Sequence, residues 1–278
     1  MATYRSSIIG SILKGFVQTE TVVNDYWSGL VTKWFRKPEV IMMATTFGAF
    51  ETIHAEAYSL LNETLGLENF AEFMEDEATM AKIENLTTIR DSFNGEKDIH
   101  EIAKSLAIFS AFTEGVNLFS SFAVLLSFKM QNKLKGVGQI VEWSIRDESL
   151  HSEAGCWLFR TLIAENPKIK TPELEAAINE AALLSLQLEL DFIEKVYELG
   201  DLEGCSKYDL INFIKNRVNT KLGDLGYNPI IGDVDMTAVS NMKWFDALSA
   251  GKQHTDFFAS RVTNYAKGTK DWDAATLF

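Results

Sequence analysis

Apolar residues recur at three- and four-residue spacing through six long stretches, roughly 5–35, 39–65, 101–129, 134–165, 172–199 and 206–224, and this pattern predicts six helices. Breaks fall between them. Lys37-Pro38 ends the first, Asn94-Gly95 precedes the third, and Gly136 and Gly138 separate the third from the fourth. Asn166-Pro167 closes the fourth, and Thr171-Pro172-Glu173 has the cap-then-proline form of a helix start. Gly200 and Gly204 close the fifth, and residues 225–243 are rich in turn formers. Alternating strand patterns are almost absent, and there is no repeat and no low-complexity linker. The chain is therefore predicted to be all-α. One domain is expected over 1–267, followed by a flexible, acidic-aromatic tail over 268–278.

Polar residues that interrupt the apolar stripes carry the candidate chemistry. Glu51 and His54 are three residues apart, as are Glu148 and His151, and each pair points to one side of its helix. Carboxylate-bridged dimetal bundles use such a Glu-x-x-His from each of two helices and a lone carboxylate from each of two others. Glu114 is the only charge between Lys104 and Lys129, in a stretch where an unpaired carboxylate is costly to bury. Glu20 lies in the apolar part of the first helix. Asp25 falls about 140° further round and so on another face. Four carboxylates and two imidazoles balance two divalent first-row ions. Without cations such a cluster would raise its own pKa values and strain the fold. Oxygen-rich ligation suits iron or manganese, and no paired thiolates point to structural zinc. A single Glu-x-x-His is a common surface accident; two on apolar helices with two isolated acids are not. His100 and His254 lack a Glu three residues before them and read as surface or cap residues.

Composition narrows the partners. Hydrophobic residues make up 46% of 278 residues with only 4 Pro, which favours long uninterrupted helices. The net charge of −13 argues against nucleic acid, whose phosphates need a basic face. No apolar run reaches the roughly 20 residues of a membrane span, and the start carries Lys14 inside its apolar part without a convincing cleavage site. Cys156 and Cys205 form no CxxC, so a reduced, cytoplasmic protein is expected.

Four segments, FETIHAEAY (50–58), TEGVNLFSSF (113–122), IRDESLHSEAG (145–155) and DFFASRVTNY (256–265), resemble, in order and over nearly the whole chain, the small radical-generating (β) subunit of class I ribonucleotide reductase. The resemblance implies a ferritin-like helical bundle with a carboxylate-bridged dimetal site. It places Glu20, Glu51, His54, Glu114, Glu148 and His151 on the metal-ligand positions and Tyr58 on the radical tyrosine. Independently, Glu51, His54 and Tyr58 share one helical face at i, i+3 and i+7. Leu118 and Phe122, four and eight after Glu114, would form the apolar wall around the radical. Asp147 would link a metal-bound histidine to the radical-transfer path, and Tyr265 would relay the radical equivalent to the large subunit. That partner holds the nucleotide and the catalytic thiols. The final DWDAATLF resembles the tail that docks on it. Two metal ions per chain (Fe/Fe, Mn/Fe or Mn/Mn), the large (α) subunit and a homodimer are the implied cofactors and partners. The implied function is generation and storage of a radical at Tyr58 for reduction of ribonucleotides to deoxyribonucleotides.

The chain departs from the family in two ways. The first ligand position is usually Asp, and here it is Glu20. The family's relay tryptophan precedes the first ligand, yet no Trp precedes Glu20, which leaves Trp27, Trp34, Trp143 and Trp157 as candidates by existence only. Two rivals remain at this stage: a ferritin-like dimetal oxidase not coupled to ribonucleotide reduction, and a ferritin-like iron store.

Overall fold

The computed structural model describes residues 2–67, 73–95, 97–198, 200 and 202–249, the first six as backbone alone. Helix α1 spans Ala2–Asn24, widens into a π-turn over Asp25–Val31 and closes at Trp34. There follow α2 (Pro38–Thr64), α3 (Glu77–Ser92) and α4 (Ile99–Ile108), the last running into a second π-turn over Phe109–Thr113. Then come α5 (Phe119–Met130), α6 (Lys135–Glu165), α7 (Pro172–Val196), α8 (Lys207–Leu225), α9 (Met236–Asn241) and α10 (Lys243–Ser249). No strand occurs among the described residues; Leu202 and Cys205 form one isolated bridge.

Local chemistry explains the boundaries. Pro38 and Pro172 occupy first-turn positions, where a missing N–H costs nothing. Thr171, Asp76, Asp98 and Ser206 each accept a hydrogen bond from a backbone N–H of the turn they start. Gly226, at φ 86°, supplies the left-handed residue that ends α8. Helix α5 is buried at every position from Phe119 to Phe128, so it runs through the centre of the bundle. Around it, α1 lies along α2, α4 and α5 pack on α6, and α7 lies against α8. All of them share one apolar core.

Three features differ from the sequence expectation, one being that α9 forms inside the stretch read as turn-rich over 225–243 and α10 follows it. Helix α3 was not anticipated because its apolar stripe is thin: only Thr79 and Leu86 are buried. The stretch expected as one helix over 101–129 is interrupted. After the π-turn, Glu114 to Leu118 form turns, and α5 restarts at Phe119. Close packing explains the break. A Cβ on Gly115 would meet Ala111 O at 2.2 Å and Ser152 Oγ at 2.8 Å. The carbonyl of Gly115, freed from the helix, accepts from Nε of Arg217, whose guanidinium covers the Phe119 ring. The expected domain boundary at 267 and tail at 268–278 lie outside the described residues, as do His254, Tyr265 and the DFFASRVTNY segment.

Candidate metal centre

Four elements converge on one buried point. Glu20 comes from α1, Glu51 and His54 from α2, Glu114 from the turn after the second π-segment, and Glu148 and His151 from α6. All four carboxylates and His151 are 0% exposed, and His54 is 5% exposed. The ligand atoms fall into two groups, each within 4.8 Å: Glu20, Glu51, His54 and Glu148 in one, and Glu51, Glu114, Glu148 and His151 in the other. Asp25 is excluded, since it faces outward and pairs with Arg90 at 3.0 Å.

Glu51 and Glu148 belong to both groups, and their oxygens divide between them. Glu51 Oε2 lies 3.0 Å from His54 Nδ1, while Oε1 lies 2.7 Å from His151 Nδ1. Glu148 Oε1 lies 3.1 Å from His54 Nδ1, while Oε2 lies 3.3 Å from His151 Nδ1. Each carboxylate thus spans the two half-sites. Glu20 and Glu114 lie at opposite ends. Yet both oxygens of Glu20 and of Glu148, Oε1 of Glu51, Oε2 of Glu114 and both nitrogens of His151 are buried without a well-oriented hydrogen bond. Polar atoms that are close but not aimed at one another have lone pairs converging on shared points, and buried orphans of this kind call for cations. The residues therefore fit a two-metal site. Hard oxygen donors with one imidazole per half-site suit first-row divalent ions. Neither cysteine takes part, and burial pushes the Cys156 thiol up to about 12.

The electrostatics agree. Burial pushes the carboxyls of Glu20 and Glu114 well above the usual range, and the charges of Glu148 and Glu51 add to it. Burial alone would raise Glu148 as well, but contacts with His151 and His54 outweigh it and hold that carboxyl far below the ordinary value. Burial disfavours the charged form of His151, but Glu148 and Glu51 outweigh it and hold the imidazole at about 11. Without metals, protons occupy the positions where positive charge is required.

Around this core, His54 turns its Nε2 to Asp147 Oδ2 at 3.0 Å, leaving Nδ1 for the site. Asp147 is partly exposed, and its neighbour Arg146 turns away to donate to the Ser249 carbonyl. Tyr58 is 0% exposed and donates to Ser144 Oγ at 2.7 Å. Its ring lies 4.8 Å from that of Phe16, which in turn meets Phe122 at 5.0 Å; Leu118 is buried nearby and lines the same small cavity as Phe16. Sequence reasoning missed Phe16 and left Trp27 as one of four candidate tryptophans without choosing it. Phe16 stands directly on Tyr58, and the Trp27 indole N–H donates to Glu114 Oε1. A signal existed for both: Phe16 and Trp27 are four before and seven after Glu20, on the same helical face.

The family model for the ribonucleotide reductase small chain matches residues 3–235. A probable ribonucleoside-diphosphate reductase small subunit of Invertebrate iridescent virus 3 is 36% identical over 255 residues, 86% of this chain and 67% of that one. Among solved structures, a class I ribonucleotide reductase from Bacillus halodurans superposes with a TM-score of 0.80 at 18% identity, covering 88% of this chain and 87% of the other. The dimanganese(II) NrdF of Streptococcus sanguinis gives 0.68 at 21%, covering 86% and 83%. At these identities the structures establish the ferritin-like helical fold.

Proposed function

The chain belongs to the ribonucleotide reductase small-chain family and is the small subunit of a ribonucleoside-diphosphate reductase; from that premise we propose that it generates and stores its radical on Tyr58 beside a two-metal site. The observation that carries this reading is the placement of Glu51 and Glu148 between two imidazoles, with Tyr58 one helical turn beyond His54. Glu20, Glu51, His54 and Glu148 would hold one ion, and Glu51, Glu114, Glu148 and His151 the other. When bound, a pair of first-row ions, Fe/Fe, Mn/Fe or Mn/Mn, supplies the oxidising power that takes one electron from the tyrosine.

The protein's part is positioning. Burial, with the charge of Glu20 next, holds the Tyr58 phenol well above its ordinary pKa, so it stays protonated until it is oxidised. The hydrogen bond to Ser144 fixes the direction of the phenol O–H. Phe16, Phe122 and Leu118 keep water from the oxygen. Asp147 fixes the His54 tautomer so that Nδ1 faces the site, and it offers a partly exposed link for the radical equivalent to leave by.

The small subunit works with the large subunit, the typical small-chain form is a homodimer, and the family match favours this over the uncoupled oxidase and the iron store. Tyr265 is proposed to carry the radical equivalent onward and residues 268–278 to dock on the large subunit. A cytoplasmic location fits two buried cysteine thiols with no CxxC pairing. No helix among the described residues is long and apolar enough to cross a membrane.

The deciding test loads metal-free protein with Fe(II), Mn(II) or both, exposes it to air, and follows metal content and the electron paramagnetic resonance spectrum. A tyrosyl signal that vanishes in Tyr58→Phe while two metals stay bound is expected. An unchanged signal in Tyr58→Phe refutes the assignment. Removing 268–278 should abolish reductase activity with the large subunit and leave the signal intact.

A further inference from the structure

Helix α6 shows solvent an apolar row beside Asp147. Trp143, Leu150 and Trp157 recur at seven-residue spacing and are 55%, 49% and 54% exposed. Residues seven apart lie almost on one line of a helix, so the three form a single row. Single exposed apolar side chains are ordinary on a protein surface; two tryptophans and a leucine in register are not. Arg146 and Asp147, three and four after Trp143, stand on the same side, as does the exposed Glu153. The last described residues come to this face. Helix α10 packs on α6, and Arg146 Nε donates to the carbonyl of Ser249 at 3.0 Å. The chain therefore continues from a point held about one turn from Trp143 and by the residue preceding Asp147.

We propose that residues 250–265 of the same chain lie along this row, over Trp143 and Leu150 and across Asp147, as a cover in the free small subunit. The point where the chain continues selects this occupant. Sixteen residues separate Ser249 from Tyr265, which reach about 24 Å even at helical rise, and the row from Trp143 to Trp157 is about 21 Å long. Composition matches as well. Phe257, Phe258 and Val262 offer apolar side chains to the row. Residues 250–267 carry Lys252, Arg261 and Lys267 against the single acid Asp256, opposite in sign to Asp147 and Glu153. A second copy would bring a net charge of −13 against itself, whereas this segment brings positive charge. Because the segment is tethered at Arg146, modest contacts suffice to hold it. So placed, it closes the open side of Asp147, whose Oδ2 faces His54, and leaves residues 268–278 for the large subunit. The cover itself does not depend on the two-metal reading; its bearing on the radical path does.

The test uses the full, metal-free chain, so its outcome is separate from that of the tyrosyl reading. Hydroxyl-radical footprinting with residue-level mass spectrometry follows oxidation of Trp143, Leu150 and Trp157, with helical content checked by circular dichroism. All three should oxidise several-fold more slowly in wild type than in a variant carrying Phe257→Ser and Phe258→Ser. The converse variant changes the row and leaves the segment intact. Trp143→Ala with Trp157→Ala, both on the surface, should speed tryptic cleavage after Arg261 and leave cleavage after Lys270 unchanged. A photo-crosslinking benzoylphenylalanine in place of Phe258, in a mixture of 15N-labelled and unlabelled chains, should join α6 of its own chain and give single-label products. Equal oxidation in wild type and the Phe257→Ser, Phe258→Ser variant overturns the proposal, as does unchanged cleavage after Arg261. Mixed-label crosslinks, or protection that survives in that variant and falls on dilution, give the row to a second copy and overturn it too.

Discussion

His54 and Asp147 face each other across 3.0 Å, Nε2 to Oδ2, and this contact determines which nitrogen His54 turns to the carboxylates. A ligand histidine whose outer nitrogen is unheld can rotate or change tautomer. Asp147→Ala should therefore weaken metal binding about 10- to 100-fold, the usual cost of losing such a partner. Calorimetric titration of the metal-free protein checks this. An affinity equal to wild type would show that His54 is held by packing alone.

The divided oxygens of Glu51 and Glu148 predict an ordering among ligand variants. Glu51→Ala or Glu148→Ala removes a donor from both half-sites and should deplete both ions. Glu20→Ala or Glu114→Ala removes a donor from one, and should leave about one ion per chain. Elemental analysis after gel filtration distinguishes the two classes.

Metal-free protein should lose stability as pH rises. The His151 imidazole has an ordinary value of 6.5 and is held at about 11 in the fold. Its contribution is fully present below the lower value and is lost as pH climbs to the upper one. Glu20 and Glu114, also raised, have the same sign, because the folded chain keeps protons that the unfolded chain has released. Glu148, lowered, has the opposite sign and costs stability only in acid. The thermal midpoint should fall between about pH 7 and about pH 9 without metal. Metal binding should flatten that slope and release protons, measurable with an indicator dye.

Gly155 on α6 lets Trp27 reach Glu114. A Cβ there would lie 1.9 Å from Ser110 Oγ and 3.1 Å from Trp27 Cη2. Gly155→Ala should cost about 1–3 kcal/mol by overpacking, read by denaturant unfolding. It should also change the fluorescence of the Trp27 indole.

A second buried charge sits apart from the metal site. Glu189 is 0% exposed, accepts from Ser120 Oγ and pairs with Lys82. Burial pushes its carboxyl up, and Lys82 offsets part of that. Lys82→Met should destabilise the fold by about 3–5 kcal/mol, because it leaves a buried carboxylate uncompensated. Lys82→Met with Glu189→Gln should recover much of that loss; equal stability of the single and double variants would show that the pair is not coupled.

The sequence by itself determined the long helices, because a 3.6-residue apolar period is written in neighbouring residues. α2, α6, α7 and α8 begin and end within a few residues of the pattern. It also singled out Glu20, Glu51, His54, Glu114, Glu148 and His151, since a lone acid in an apolar stripe is too costly to keep without a purpose. Tertiary structure decided what depends on residues far apart in the chain. The break at Glu114 comes from Gly115 pressed against Ser152 and from Arg217 capping its carbonyl, contacts that no local pattern encodes. Helix α3 carries too thin an apolar stripe to be read locally and is completed by its neighbours in the bundle. The split of Glu51 and Glu148 between two imidazoles, Phe16 on Tyr58 and Trp27 on Glu114 all depend on how helices cross. Spacing along one helix gives a face; only packing sets what that face meets.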